Sequence, residues 1–312
     1  MKLVFCGTPA FAVPTLKLAL RAGYDVPLVV TQPDRPVGRD QVLTPPPIKI
    51  VALEAGIPVT QPEKIKNNAE FRATLEDLLP DAILVVAYGR IIPKWMLELP
   101  RLGNLNLHGS LLPKYRGAAP IQWAIASGEA ATGVTTMRLD EGLDTGDILL
   151  QREQPLAPDM SATDVFPLLA EMGADLMMET LRELAAGTLL PRKQDESRAT
   201  HAPILTRDDG RMDFTRPAMV LYNRWRGFQP WPGAWTTVAA KKLTVHRLLP
   251  TELLGHLGAQ PGEVVAQHGT LFVACGESTW LELVEVQLEG KRRMTAGEFL
   301  RGHAFSPGAR LG

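Results

Sequence analysis

An asparagine and a histidine stand two positions apart at the end of a short apolar run, Asn104–His108, which reads NLNLH. Side chains at positions i and i+2 of a β-strand point to the same face, so Asn106 and His108 project together. The asparagine amide donates hydrogen bonds, and a protonated imidazole donates from both ring nitrogens. Such donors stabilise the oxyanion that forms when a carbonyl carbon is attacked. The alternative is a histidine that caps the strand end by bonding to nearby backbone.

A glycine-punctuated acidic segment, residues 139–147, follows the next predicted strand and reads LDEGLDTGD. A carboxylate beside an imidazole favours the protonated ring, and the two together form a general acid–base pair near neutral pH. One of the carboxylates of this segment is therefore a candidate partner for His108. Plain turn chemistry and metal binding are the alternatives, although the segment lacks the spacing and final glutamate of an EF-hand loop.

Alternating strands and helices must position these residues. The predicted strands are 2–6, 26–31, 83–87, 104–108 and 134–139, and the predicted helices are 48–55, 69–79, 120–126 and 164–186. This alternation predicts an α/β fold, a Rossmann-like mostly parallel sheet with helices on both faces. Sheets of this kind bind ligands beyond the carboxyl ends of their strands, which is where residues 106 and 108 lie.

The character of the chain changes after residue 187. We predict an N-terminal domain at 1–190, a polar linker at 191–206 and a smaller C-terminal domain at 207–312. The last domain contains a predicted helix at 219–225 and short predicted strands at 243–248, 262–266, 271–274 and 280–286. Their spacing and turn signals are typical of a small β-barrel or sandwich.

Composition narrows the class of protein. Of 312 residues, 45% are apolar and 21% are charged, which is typical of a soluble globular chain. The two cysteines, Cys6 and Cys275, lie far apart, so we expect no disulfide framework and a reducing, cytoplasmic location. No apolar run approaches the roughly 20 residues of a membrane span, and the N-terminus does not read as a signal peptide.

Charge and glycine patterns test for nucleotide and polyanion binding. Residues 207–312 contain 13 Lys and Arg against 10 Asp and Glu. A mildly basic region of this kind can attract a polyanion. The alternative is that the extra positive charges are scattered over the surface and form no binding site. After the first predicted strand the chain reads GTPAFAVP, which lacks the G-x-G-x-x-G of dinucleotide-binding folds. We therefore do not expect NAD binding, and the P-loop pattern is also absent from the sequence.

Six segments carry a resemblance to a known family. They read FCGTPAFAVP, TQPDRPVGR, VVAYGRIIP, NLHGSLLPKYRGAAPIQWAI, GVTTMRLDEGLDTGDIL and RGFQPWPGAW, in family order over most of the chain. On these segments the chain resembles the 10-formyltetrahydrofolate-dependent formyltransferases, most closely the members that act on methionyl initiator tRNA. The resemblance implies a catalytic domain with the formyltransferase fold, followed by an OB-like β-barrel domain that binds tRNA.

The resemblance also implies the site residues. The family pattern N-x-H followed by D-x-G-D-I implies a catalytic set of Asn106, His108 and Asp144, with the acid at Asp144 and not at Asp140. His108 and Asn106 would stabilise an oxyanion on the formyl group while Asp144 orients the imidazole. The implied folate-binding residues are Ser110, Leu111, Leu112 and Pro113 in one turn and Arg90 and Ile91 in the VVAYGRIIP loop. Plain strand termination is the alternative for that loop. The implied co-substrate is 10-formyltetrahydrofolate, and no metal is implied.

For tRNA, the resemblance implies contacts by basic residues in both domains. They are Arg39, Arg224, Arg226, Lys241, Lys242, Lys291, Arg292 and Arg293. Arg39 matches a loop that enters the acceptor stem in the tRNA enzymes, but here Asp40-Gln41-Val42 follow it where lysines are common. Each basic residue is alternatively a solvated charge. We expect Trp231 and Trp235 to pack in the core and not to stack on bases.

Other acceptors and roles fit parts of the pattern. A formyltransferase acting on an amino sugar nucleotide shares the same three catalytic residues, and it is the main alternative. Glycinamide ribonucleotide formyltransferase normally lacks a second domain. A folate-binding or RNA-binding module without catalysis does not need the intact catalytic set. We expect a monomer that binds methionyl initiator tRNA and folate and has no membrane partner.

Overall fold

The computed structural model describes residues 1–38, 40–253 and 258–312 and divides the chain into two units. The first unit comprises Met1–Pro120, Ala131–Pro155 and Asp164–Pro203. The second comprises Ile121–Ala130, Leu156–Thr163 and Ile204–Gly312. Each unit has its own sheet and its own cluster of buried apolar side chains.

The first unit contains eleven strands among the described residues. They are β1 (Lys2–Gly7), β2 (Asp25–Val30), β3 (Arg35–Val37), β4 (Val42–Thr44), β5 (Val59–Thr60), β6 (Ala82–Val86), β7 (Asn104–His108), β8 (Arg116–Gly117), β9 (Ala131–Arg138), β10 (Ile148–Pro155) and β11 (His201–Ala202). Seven of them form the main sheet in the order β10-β9-β7-β6-β1-β2-β5. Strands β3 and β4 form a separate hairpin, and β8 pairs with β11.

The direction of the strands defines a switch point in the main sheet. Strands β7, β6, β1, β2 and β5 run parallel, whereas β9 is antiparallel to β7 and β10 is antiparallel to β9. The chain extends the sheet from β1 through β2 to β5, and then returns to the other side of β1 with β6. A crevice outside the carboxyl ends of β1 and β6 is the expected ligand site of such a sheet.

Helices of one to seven turns lie in this part of the chain. They are α1 (Val13–Arg21), α2 (Pro47–Glu54), α3 (Ala69–Leu78), α4 (Lys94–Leu97), α5 (Pro120–Ala126) and α6 (Ala162–Ala186). From Ile121 onward α5 belongs to the second unit, as do the first two residues of α6. Local sequence sets where they begin: α2 starts on a proline, which is well suited to a first helical position. The side chain of Asn68 accepts a hydrogen bond from the Phe71 N–H and caps α3.

The second unit is strand-rich and antiparallel. Its strands are β12 (Ala234–Val238), β13 (Lys241–Thr251), β14 (Val264–Gln267), β15 (Thr270–Ala274), β16 (Trp280–Leu288) and β17 (Met294–Thr295), and its own helices are α7 (Ala218–Gly227) and α8 (Ala296–Gly302). The sheet order is β12-β13-β16-β15-β14, with β17 pairing with β16. Alternate residues of the long strands, such as Leu281 and Leu283, form its core.

The predicted fold class is confirmed, with a mostly parallel sheet and helices followed by an antiparallel strand-rich domain. Strand β7 has the predicted bounds. The prediction omitted β10, because the sequence ILLQREQP carries polar residues over an exposed edge strand and lacks a sustained apolar run. It also omitted β12, whose partly exposed residues follow the proline-rich turn directly.

Candidate active site

The end of β7 presents Asn106 and His108 together. Parallel β6 fixes one side of this strand, with Val85 opposite Asn106, and antiparallel β9 fixes the other, with Thr135 opposite His108. Both side chains are largely buried, at 9% and 5% exposure. Within the described part of the chain, no group hydrogen-bonds the Asn106 side chain. Its amide is therefore available to a bound molecule.

The His108 imidazole is placed between two acceptors. Its Nε2 lies 2.9 Å from the carbonyl oxygen of Tyr115, and its Nδ1 lies 3.6 Å from Oδ2 of Asp144. The first contact is a hydrogen bond, whereas the second is an ion-pair distance slightly too long for one. A neutral imidazole has one N–H and satisfies one of the two acceptors, but an imidazolium donates to both. The environment thus provides a histidine that can deliver a proton.

Asp144 is the carboxylate of the acidic segment that faces His108. Its Oδ2 accepts a hydrogen bond of 2.8 Å from the Gly117 N–H, and its backbone takes a left-handed φ of 53°. Asp140 has a different role, because its carboxylate accepts from the Gly142 N–H and from the Thr145 hydroxyl and so shapes the turn. The structure thereby resolves which acid of residues 139–147 meets the imidazole.

The turn after β7 is fixed by hydrogen bonds of its own. The Ser110 hydroxyl donates to the Lys114 carbonyl at 2.6 Å, and the Thr135 hydroxyl donates to the Ser110 carbonyl at 2.6 Å. The Gln151 amide donates to the Leu112 carbonyl at 2.8 Å. Ser110, Leu112 and Pro113 are buried, while Leu111 is partly exposed. Of the predicted folate contacts in this turn, Leu111 is the one whose side chain reaches the surface.

The loop after β6 carries the other predicted folate contacts. Ile91 is 89% exposed, so its apolar side chain is accessible to a bound molecule. Arg90 donates from Nη1 to the Glu63 carbonyl, and its buried Nε has no partner among the described residues. The Tyr88 carbonyl accepts from the Thr8 hydroxyl, so the loops after β1 and β6 are joined at the switch point.

The predicted RNA contacts are divided between the surface and the interior. Arg39 lies outside the described residues. Lys241, Lys242, Lys291, Arg292 and Arg293 are exposed. They lie near one another at adjacent ends of β13 and β16, where the Glu289 N–H donates to the Lys242 carbonyl at 2.8 Å. We call these five residues the basic edge. Arg292 and Arg293 also pair with Glu298 and Glu285, respectively.

Arg226 and Arg224 are placed differently. Arg226 is 4% exposed, and its Nη1 donates to the Met160 carbonyl at 2.7 Å. Burial lowers the pKa of Arg226. Arg224 is partly buried, lies 4.8 Å from the Phe228 ring and donates to the Asp209 carbonyl. The structure therefore places Arg226 inside the second unit and not on an RNA-facing surface, because sequence alone reveals its charge and not its burial.

The two tryptophans of the PWPGAW turn differ from each other. Trp231 is 54% exposed, so the expectation that it packs in the core is wrong. Trp235 is partly buried and donates from Nε1 to the Arg207 carbonyl at 3.1 Å. Trp231 lies within a turn, between Pro230 and Pro232, and belongs to no strand or helix that would bury it.

Several groups that shape the site carried no sequence signal. The Tyr115 carbonyl and the Gly117 N–H are backbone groups, and no residue type identifies them in advance. Gly117 has a φ of 119°, and a Cβ there would lie 2.7 Å from the Ala202 carbonyl oxygen.

Cysteine, metal and membrane features complete the description. Cys6 and Cys275 are free and buried, and burial raises the pKa of both thiols. In residues 1–38, 40–253 and 258–312, no three or more His, Cys, Asp or Glu are grouped to hold a metal ion. None of the helices in those same ranges combines the length and apolar character needed to span a bilayer.

Sequence comparisons place the whole chain among formyl transferases. Residues 1–181 match the family model described as formyl transferase, and residues 204–304 match the model of the formyl transferase C-terminal domain. A methionyl-tRNA formyltransferase of Acidobacterium capsulatum is 67% identical over 312 residues, covering 100% of both chains. The methionyl-tRNA formyltransferase of Koribacter versatilis is 55% identical, covering 100% of this chain and 99% of the relative.

Solved structures with the same fold are more distant in sequence. An N-formyltransferase from Helicobacter canadensis, in complex with folinic acid and dTDP-3-aminofucose, superposes with a TM-score of 0.66 at 18% identity. The match covers 91% of this chain and 98% of that one. HypX from Aquifex aeolicus, in complex with tetrahydrofolic acid, gives a TM-score of 0.59 at 18% identity over 96% of this chain and 47% of its own. These likenesses establish the fold alone.

Proposed function

The chain belongs to the formyl transferase family, and we propose that it formylates methionyl initiator tRNA for translation initiation. The formyl group comes from 10-formyltetrahydrofolate, and the acceptor is the free α-amino group of methionine. The observation that carries the proposal is the end of β7. There a partner-free amide, an imidazole between two acceptors and a carboxylate lie together in a chain 67% identical to a methionyl-tRNA formyltransferase.

The reaction needs a stabilised oxyanion and one proton transfer. The amine attacks the formyl carbon, a C–N bond forms, and the carbonyl oxygen becomes negative. The Asn106 amide donates to that oxygen, as an oxyanion-hole donor does. His108 donates from Nε2, exchanging the neutral Tyr115 carbonyl for a charged acceptor that binds more strongly.

Asp144 faces Nδ1 of the imidazole at 3.6 Å and orients the ring. The attacking nitrogen loses its extra proton by way of a water and the Asp144 carboxylate. The carbonyl then re-forms as the bond between the formyl carbon and N10 breaks, and the proton taken from the amine returns through the same water to N10 as it leaves. The net exchange is one formyl group for one proton. Orientation of the acid is therefore as important as its presence.

The folate occupies the crevice between the loops that follow β1 and β6 and the turn that follows β7. Ile91 and Leu111 offer apolar surface to the pterin and its linker. Arg90 and the backbone of residues 110–113 offer hydrogen-bonding groups. Support comes from the switch-point location and from the folate compounds in the structures of HypX and the Helicobacter canadensis enzyme.

The tRNA is held by basic residues that meet its phosphates. The basic edge supplies five exposed cations in the second unit, and Arg35 is exposed on the β3–β4 hairpin of the first. Arg39, which lies outside the described residues, is proposed as a contact on the family resemblance. Phosphate contacts of this kind position RNA without reading its sequence. We propose a monomeric, cytoplasmic enzyme with a catalytic domain at 1–190, a linker at 191–206 and a tRNA-binding domain at 207–312. Arg226 is not included among the RNA contacts, because it is buried.

A second candidate function is formylation of an amino sugar nucleotide. It is favoured by the fold similarity to the Helicobacter canadensis N-formyltransferase bound to dTDP-3-aminofucose. The identity to that protein is 18%, against 67% to a methionyl-tRNA formyltransferase over the full chain. The tRNA acceptor is therefore the better supported one.

One experiment separates the two acceptors. The purified protein is incubated with 10-formyltetrahydrofolate and either methionyl initiator tRNA or dTDP-3-aminofucose, and formyl transfer is followed with a labelled formyl group. We expect transfer to the tRNA and none above background to the sugar nucleotide. The variant His108→Ala, which removes the proposed proton donor, is the negative control. Transfer to the sugar nucleotide alone would contradict the proposed function.

A further inference from the structure

We propose that Gln194 and Arg116 are positioning residues that hold Asp144 against His108. This inference rests on the proposed function, because it assigns a role in that reaction to residues outside the catalytic set. It also gives a functional role to the polar segment 194–202, which follows α6 and precedes Ile204–Gly312 of the second unit in the chain.

Gln194 binds the backbone on both sides of the catalytic acid. Its Nε2 donates to the Asp144 carbonyl at 2.7 Å and to the Gly146 carbonyl at 2.8 Å. Its Oε1 accepts from Arg116, at 2.8 Å from Nη2 and 3.1 Å from Nε. Both amide protons and the amide oxygen are therefore used. Rotating the amide by half a turn would set its oxygen against two carbonyls, so the orientation is defined by its partners.

Arg116 fixes the orientation of the Gln194 amide by donating hydrogen bonds to its oxygen. It is 3% exposed, and its guanidinium forms a bidentate pair with Glu196, at 2.7 Å from Nη2 and 2.8 Å from Nη1. These hydrogen bonds raise the pKa of Arg116 and lower that of Glu196. A planar guanidinium that binds a carboxylate with one edge and an amide oxygen with another fixes both partners in direction.

Asp144 requires such support. Its left-handed φ of 53° is sparsely populated for a residue with a side chain and persists where surrounding contacts hold it. The side chain is held by the Gly117 N–H and the main chain by Gln194. Without the Gln194 contacts, only the side chain of Asp144 would be held, and the distance from its carboxylate to the His108 Nδ1 would vary.

The same segment also fixes the backbone next to His108. Strand β11 pairs with β8, and the Arg116 N–H donates to the Thr200 carbonyl at 2.8 Å. Strand β8 contains Gly117, whose N–H binds Asp144, and it follows Tyr115, whose carbonyl accepts from His108. Residues 194–202 thus hold both strand β8 and the acidic loop, which are the two supports of the His108–Asp144 pair.

The test is the near-isosteric variant Gln194→Glu. It keeps an oxygen for Arg116 but replaces the donor that faces the Asp144 and Gly146 carbonyls with a second acceptor. A misplacement of a reacting group by about 1 Å costs roughly a hundredfold in rate. We expect kcat for formyl transfer to fall by about tenfold to a hundredfold, while KM for folate and for the acceptor changes by less than about threefold. Gln194→Met, which is neutral and lacks both functions, carries the test if the glutamate variant does not fold.

The matched control is Gln154→Glu on β10, which makes the same change outside the segment. The Gln154 amide donates to the adjacent Pro155 carbonyl at 2.8 Å. We expect the kcat of this variant to stay within about twofold of wild type. An equal loss of kcat in the Gln154 and Gln194 variants would overturn the inference, since it would reflect the added charge and not the lost support of Asp144. So would a Gln194 variant with wild-type kcat, or one in which only KM changes.

Failure of the proposed function gives a different result. If the wild-type protein formylates dTDP-3-aminofucose and not methionyl-tRNA, the acceptor is wrong while the His108–Asp144 pair still acts. The same variants are then measured with the sugar nucleotide. A retained kcat effect there supports the positioning role, and its absence overturns it.

Discussion

A methyl group added to α6 where this helix packs against β7 should displace the strand and the catalytic side chains that it carries. Gly173 lies in α6, and a Cβ at this position would lie 2.6 Å from Cδ2 and 2.9 Å from Cδ1 of Leu107. Leu107 is buried and stands between Asn106 and His108 on β7. The substitution Gly173→Ala therefore tests whether packing under this strand controls the two side chains that face the substrate.

Two effects of opposite sign decide the outcome. Replacing glycine with alanine inside a helix stabilises by about 0.5–1 kcal/mol. Carbon atoms prefer separations of about 3.5–4.0 Å, so the new Cβ is too close by roughly 0.6–1.4 Å, and overpacking of a buried site costs about 1–3 kcal/mol. The clash should win, with a net loss of about 1 kcal/mol. A shift of a few tenths of an ångström in β7 should then lower kcat by about threefold to tenfold, given roughly a hundredfold per ångström.

Urea unfolding and steady-state formylation measure the two effects. Leu107→Val removes the Cδ atoms that collide, so the double variant Gly173→Ala/Leu107→Val should be more stable than the sum of the two single changes predicts. Its kcat should also recover toward that of Leu107→Val alone. A more stable Gly173→Ala protein with unchanged kcat, or strictly additive losses in the double variant, would refute the packing argument.

Three further predictions concern the site and the RNA surface. Asn106→Ala should lower kcat by about a hundredfold or more in the formylation assay. Among the described residues no group hydrogen-bonds this amide, so the free energy of unfolding in urea should change little. A wild-type kcat would argue against an oxyanion donor here. Gly117→Ala should cost about 1–3 kcal/mol in urea unfolding and reduce activity, since its φ of 119° and the Ala202 carbonyl leave no room for a Cβ; an equally stable, active variant would contradict this. Changing Lys291, Arg292 and Arg293 to glutamine should reduce the slope of log affinity for tRNA against log salt concentration by about 0.7–0.9 per lost contact. The control changes the exposed residues Lys17 and Arg21 in the same way. An equal reduction of the slope in both variants would contradict the proposal that the basic edge is a specific tRNA-binding surface.

The strand that carries the site was predictable because its information is local. Alternation in NLNLH sets which side chains share a face, and apolar runs of this kind identify buried parallel strands. The fold class followed from the alternation of strands and helices. The basic residues that lie near one another across β13 and β16 were recognised as candidates, but their proximity depends on strand pairing that single-sequence patterns do not give.

The supports of the site were not predictable for a physical reason. Gln194 acts through hydrogen bonds to backbone carbonyls 48 and 50 positions away, and its segment has no hydrophobic period to indicate a fixed position. Arg226 shows the same limit from the other direction, since charge suggests exposure but local packing buries it. Sequence patterns report which face of an element is apolar; they do not report which polar side chain meets which backbone group.

The isosteric variant Asp144→Asn tests the central claim most directly. It preserves an oxygen for the Gly117 N–H but removes the charge that faces the His108 Nδ1. Single-turnover formylation of methionyl-tRNA should slow by about a hundredfold or more, since a comparable Asp→Asn change in a Ser-His-Asp triad lowers kcat by about 10⁴. Folate affinity, measured by equilibrium binding, should remain within about threefold. Formylation within about twofold of wild type would contradict the account of the imidazole and its acid.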